Sequence, residues 1–94
     1  MSVQAIAISF VGDGLDGRVI VTGLSGVVLW GRLIRLDGIG GLVKHRDMAG
    51  DVAAQGSNSR TGWTVQGPNF ILDASGSGSP NTAGVTYYAE AVTQ

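Results

Sequence analysis

Val27-Val28-Leu29-Trp30-Gly31-Arg32-Leu33-Ile34-Arg35-Leu36, followed at once by Asp37-Gly38-Ile39-Gly40-Gly41 and Leu42-Val43-Lys44-His45-Arg46, decides the fold. The stretch from Val27 to Leu36 is rich in β-branched and aromatic side chains, which fit a pleated, half-buried surface. Val28, Trp30, Ile34 and Leu36 fall on one face, broken by Arg32, and Val27, Leu29 and Leu33 fall on the other. A strand that is apolar on both faces is central, covered on each side by its own chain or by another subunit. Asp37-Gly38 is a strong hairpin signal, and Leu42 to Arg46 reads as the return strand.

Outward from this hairpin the pattern repeats. Gly occurs 16 times and Pro twice, and each Gly inside a helix costs about 1 kcal/mol relative to Ala. The glycines separate short apolar runs, as turns separate strands. In Val3 to Val11, Ile6, Ile8 and Phe10 point one way and Ala5, Ala7 and Ser9 the other. Gly12 to Gly17 is a loop, Arg18 to Thr22 a short strand, and Gly23 to Gly26 a turn. From Asp47 to Arg60 the alternation weakens, and Ala49 to Ala54 reads as a helical turn or an irregular loop. Gly62 to Gln66 and Asn69 to Ala74 are short strands. Ser75 to Ser79 is a Ser/Gly tract, flexible by composition. Val85 to Val92 is the last strand, with Tyr87 on one face and Tyr88 on the other. The expectation is one all-β domain over residues 1–94, a small sandwich of about six to seven short antiparallel strands.

Composition narrows the functional classes. Of the 94 residues, 44% are hydrophobic and only 14% charged, against roughly 25% charged in an average soluble domain. A surface this poor in charge is expected to be covered in part by a neighbour. The net charge of -1 offers no basic field for nucleic acid. With no cysteine, the domain must be held by packing and strand pairing. No run approaches the ~18 apolar residues of a membrane span, and Met1 to Phe10 lacks the basic region and cleavage site of a secretory leader.

No motif supplies chemistry. Gly12, Gly14 and Gly17 satisfy G-x-G-x-x-G, but a dinucleotide site needs a helix after it, and Arg18 to Thr22 is a strand. Asp13 and Asp16 are turn formers and too few for a calcium site, which takes six to eight oxygens. His45 is the lone histidine and cannot make a zinc site without further ligands. Lys44, His45 and Arg46 read as the charged guard of an edge strand, or as a contact for an acidic partner. No serine sits in a nucleophile elbow and no carboxylates pair by spacing. The chain is therefore expected not to be an enzyme, and to take no metal or cofactor. Trp30 and Tyr87 read as core residues. Tyr88 is a candidate surface contact, and Trp63 reads equally as core or interface.

The order of short motifs adds a resemblance. Val19-Ile20-Val21-Thr22-Gly23-Leu24 precedes the aliphatic-Trp strand Val27-Val28-Leu29-Trp30, and Gly84-Val85-Thr86-Tyr87-Tyr88-Ala89 opens the closing strand. From Arg18 to Val92 the chain resembles the immunoglobulin- or fibronectin-III-like modules of tail-associated proteins of long-tailed actinobacteriophages. The resemblance implies an Ig-like sandwich in which Tyr87 ties down the preceding corner and Gly84 makes the turn. It also implies a non-catalytic virion protein, multi-copy or homo-oligomeric, bound to other virion structural proteins and not to nucleic acid or membrane. Capsid decoration is the alternative within a particle, and a carbohydrate- or receptor-binding module using Trp63, Tyr88 and the Ser/Gly loops is the alternative outside it. The chain departs from these modules by stopping at Gln94, without a seventh strand. Its N-terminal strand or a neighbouring chain is expected to substitute, a neighbour is expected to cover an exposed strand edge, and the last strand of the isolated chain is expected to show poor exchange protection.

Overall fold

The computed structural model describes residues 2–94 and is all-β among them. It has nine strands: β1 Gln4–Val11, β2 Arg18–Ile20, β3 Val28–Arg35, β4 Leu42–His45, β5 Ala53–Gln55, β6 Asn58–Arg60, β7 Trp63–Gln66, β8 Asn69–Leu72 and β9 Thr86–Thr93. A six-stranded sheet runs β1-β9-β3-β4-β5-β6, and a three-stranded sheet β2-β8-β7 lies against it. Every neighbouring pair is antiparallel. The sandwich is as expected, with more strands than the sequence suggested.

The N-terminal strand pairs with the last one. β1 pairs with β9 without a break from Gln4↔Thr93 to Val11↔Thr86. The other side of β9 pairs with β3. The last strand is therefore central, and an expectation of poor protection there is overturned: its backbone groups are satisfied on both sides.

Strand β3 corrects the face assignment. The pairing of β3 with β9 shifts between Val28 and Trp30, so a bulge moves Val28 to the opposite face from Trp30. Val28, Gly31, Leu33 and Arg35 face inward, and Trp30 and Arg32 outward. Strict alternation cannot foresee this, because the extra residue inverts the parity on one side of it.

The core lies between the sheets. Trp63 and Phe70 meet edge to face with centroids 4.9 Å apart, packed with Leu33, Leu42, Leu72 and Ala89. Gly31 makes room for them: a Cβ there would stand 2.9 Å from Phe70 Cζ and 3.0 Å from Trp63 Cζ2. The missing side chain on β3 is the seat of the two largest rings of the small sheet.

Two segments differ from their compositional reading. Ala49 to Val52 is irregular, as one of the two readings had it, but Ala53–Gln55 and Asn58–Arg60 form a hairpin closed by Gly56-Ser57. The Ser/Gly tract is tightly held. Ser77 and Thr61 exchange hydrogen bonds of 2.9 Å, Ser75 is bound by the Asp16 carboxylate at 2.9 Å, and Gly76 lies so close to Gly62 that no Cβ fits between them. Glycine here permits backbone contact and does not confer freedom.

Candidate protein-interaction face

The three-stranded sheet covers the inner face of its larger partner. Among the described residues, no second layer covers the outer face of β1, β9, β3 and β4. Register assembles that face row by row. Ala5, Val92, Trp30 and His45 form one row, and Ala7, Glu90, Arg32 and Val43 the next. Ser9, Tyr88 and Ile34 form a third. Trp30 is 39% exposed and Tyr88 49%. The Arg32 guanidinium grips the Glu90 carboxylate at the centre, with Nε 2.9 Å from Oε1, so the two charges neutralise each other. Small side chains on β1 leave depressions of about 340 and 280 Å³ beside Tyr88 and Trp30. The result is an aromatic, nearly charge-neutral surface with relief.

The proposed interface residues separate. Tyr88 stands on the outer face. His45 and Arg46 are exposed, and His45 Nδ1 accepts the Asp47 N–H at 3.3 Å. Trp63 is a correction: it is fully buried and offers no surface to a glycan or a protein. Trp30 is the converse correction, placed outside by the bulge.

Lys44 is the third correction. Strand β4 lies between β3 and β5, so it is no edge, and Lys44 points inward with 2% exposure. Its Nζ donates to the carbonyls of Met48 (3.3 Å), Gly50 (3.0 Å) and Val52 (2.6 Å). An ammonium has three protons, and all are committed. Burial pushes the amine below its ordinary range, with the nearby Asp51 charge opposing the shift. Lys44 borders a cleft of about 370 Å³ with Val27, Arg46, Met48 and Thr64, yet it has no donor left for a ligand. Its work is to close the loop from Arg46 to Val52.

The end of the sandwich is a polar clasp. Tyr87 is buried beneath it, its hydroxyl donating to Ser79 O and accepting the Thr82 N–H, both at 2.8 Å. Gly84 makes the turn before β9, with φ of +79°. Arg35 Nη1 also donates to Ser79 O (3.2 Å) while its guanidinium pairs with Asp37. Asn81, fully buried, accepts the Asp13 N–H and donates to Asp13 Oδ1 and Leu15 O. The glycine loop Gly12–Gly17 is thus clamped to the β8–β9 connection. The carboxyls here are held below their usual range: Asp13 chiefly by the Leu15 N–H, Asp16 by Ser75, and Asp37 by Arg35.

Arg35, Asn81 and the caged role of Lys44 were missed from sequence. The alternation of Leu42-Val43-Lys44-His45, with Leu42 inward, was the available signal for Lys44. Asn81 carries no local signal, because its partners lie more than sixty residues away. Among the described residues, no three His, Cys, Asp or Glu side chains converge as metal ligands. Comparison with protein-family models, curated proteins and solved structures gives no match to this chain.

Proposed function

We propose that the chain is a non-catalytic assembly protein of a phage particle, tail-associated, which binds another virion structural protein through the outer face of its six-stranded sheet. The observation that carries the reading is the cluster of Trp30, Val43, Tyr88 and Ile34, drawn from three adjacent rows, around one self-neutralised ion pair. Aromatic side chains are enriched where proteins dock, and charges are depleted at the centre of such contacts. Three strands of eight residues and one of four, spaced ~4.8 Å apart and rising ~3.3 Å per residue, make a flat area of roughly 440 Å². That is below the ~800 Å² per partner of a standard interface and matches the small end of the scale. The partner surface that fits is itself apolar, with knobs for the depressions along β1. The phage assignment rests on the motif resemblance between Arg18 and Val92. Burial of Trp63 removes the residue on which glycan binding chiefly depended.

The test is incorporation. Purified particles should contain the wild-type chain, and a Trp30→Glu/Tyr88→Glu variant should be depleted at least about thirty-fold, since hot-spot residues each contribute ~2 kcal/mol or more. Equal incorporation of the variant contradicts the reading. Counting copies separates a tail position, with a few to dozens, from capsid decoration, with hundreds.

A further inference from the structure

The free edge of the large sheet at β1 is unlike the other strand edges. β2 and β6 have three residues each and β7 has four, whereas β1 has eight. It contains no charge and no proline, and its pairing has no bulge. Proteins ordinarily guard such an edge with lysine, proline, a bulge or a cover, and none is present here among the described residues.

The hydrogen-bond pattern says which groups are free. Gln94 exchanges bonds with Val27 (3.0 and 3.1 Å), and Thr86 O accepts from Leu36 N–H (3.1 Å), so the even-numbered residues of β9 turn their backbone toward β3. The odd-numbered ones turn toward β1, where they oppose Gln4, Ile6, Ile8 and Phe10. Ala5, Ala7, Ser9 and Val11 therefore direct N–H and C=O to the free side. Val11 O is occupied by Arg18 Nη1 at 2.6 Å. The open window is Ala5 to Ser9, and its outward side chains are small.

We infer that β1 pairs antiparallel with β1 of a second copy of this chain about a two-fold axis at Ala7, joining the two large sheets into one. This axis sets Ala7 against Ala7 and Ala5 against Ser9, and every free N–H and C=O of the window finds its complement. Only a register with an even sum keeps the outer faces on one side, and this one does. On the inner side it sets Ile6 against Ile8 of the other copy. Both are half-buried and gain an apolar cross-strand neighbour. An uncharged strand also meets its own copy without repulsion. The inference does not depend on what docks on the outer face.

Sedimentation equilibrium up to about millimolar concentration tests it, a range in which contacts at the small end of the interface scale still associate. The wild type should dimerise. The amides of Ala5, Ala7 and Ser9 should gain exchange protection as the dimer forms, whereas Ile6 and Ile8 are protected throughout. Ala7→Pro removes only a free-side N–H, a position where an edge strand tolerates proline, and should weaken the dimer at least tenfold. Ala7→Lys, whose ammonium stands opposite Glu90 within the chain, should weaken it similarly by placing like charges on the axis, and it decides the matter if the proline variant does not fold. Ala7→Ser should leave it intact. A monomer at every concentration overturns the inference. So does a dimer that survives Ala7→Lys and dissociates on Tyr88→Glu, because the copies would then meet through the outer face.

Discussion

The two faces of the six-stranded sheet carry a tryptophan problem with opposite solutions. The inner face lacks a side chain at Gly31, and Trp63 from the facing sheet fills the space, fully buried. The outer face carries Trp30 one residue away, 39% exposed, with no second sheet over it among the described residues. The same pleated backbone thus supports one surface finished by the chain and one left open. Stability should be concentrated on the first and partner binding on the second.

The sharpest way to break that division is to truncate both tryptophans and measure unfolding in urea. Trp63→Ala should cost about 3–5 kcal/mol, as large-to-small core changes do. Trp30→Ala should cost under about 1 kcal/mol, because an exposed site loses little on truncation. Equal losses would mean that the faces do not differ. Trp63→Phe sharpens the point: Trp63 Nε1 has no hydrogen-bond partner among the described residues, so this change also removes a buried orphan donor and should cost less than Trp63→Ala.

Next in size come the devices that complete the inner face. Gly31→Ala should destabilise by about 1–3 kcal/mol through overpacking against Phe70 and Trp63. Lys44→Met leaves the carbonyls of Met48, Gly50 and Val52 without their donor and should cost about 1–3 kcal/mol. Its signature should be faster amide exchange confined to the Arg46–Val52 loop.

The clasp gives a pH dependence with a definite sign. Asp13, Asp16 and Asp37 are held below their ordinary value in the fold. Their contribution is therefore complete above the ordinary carboxylate range and is lost as pH falls through the lowered values. Thermal unfolding from pH 6 down to pH 2 should show this loss. Asp37→Asn, which removes the partner of Arg35, should flatten part of it.

The smallest effect belongs to the outer face. Arg32→Ala should change stability by no more than about 1 kcal/mol, since Arg32 and Glu90 are both solvent-accessible. A larger loss would make the ion pair part of the scaffold and not of a docking surface.

Much of this architecture was legible in the sequence. Glycine punctuation marked the strands, and the hairpin from Val27 to Arg46 placed the centre of the large sheet. The substitution of the N-terminal strand for a seventh was a stated option, because Val3–Val11 alternates cleanly over a strand's length. What was not legible depended on a single inserted residue or on distant partners. The bulge at Val28–Trp30 put Trp30, read as a core residue, on the outer face, and the choice left open for Trp63 fell to the core. Lys44 lay in a run of three bases that resembled an edge guard, whereas β5 and β6 extend the sheet past it. The short hairpin through Gly56-Ser57 had strands of three residues each, below the length at which alternation is informative.

Radical footprinting of Trp30 and Tyr88 in the isolated chain and in the assembled particle interrogates the open face directly. Both side chains should label readily when the chain is alone and lose that reactivity on assembly, with Trp63 unreactive in either state. Undiminished labelling of Trp30 and Tyr88 in the particle would mean that nothing docks there and would contradict the account.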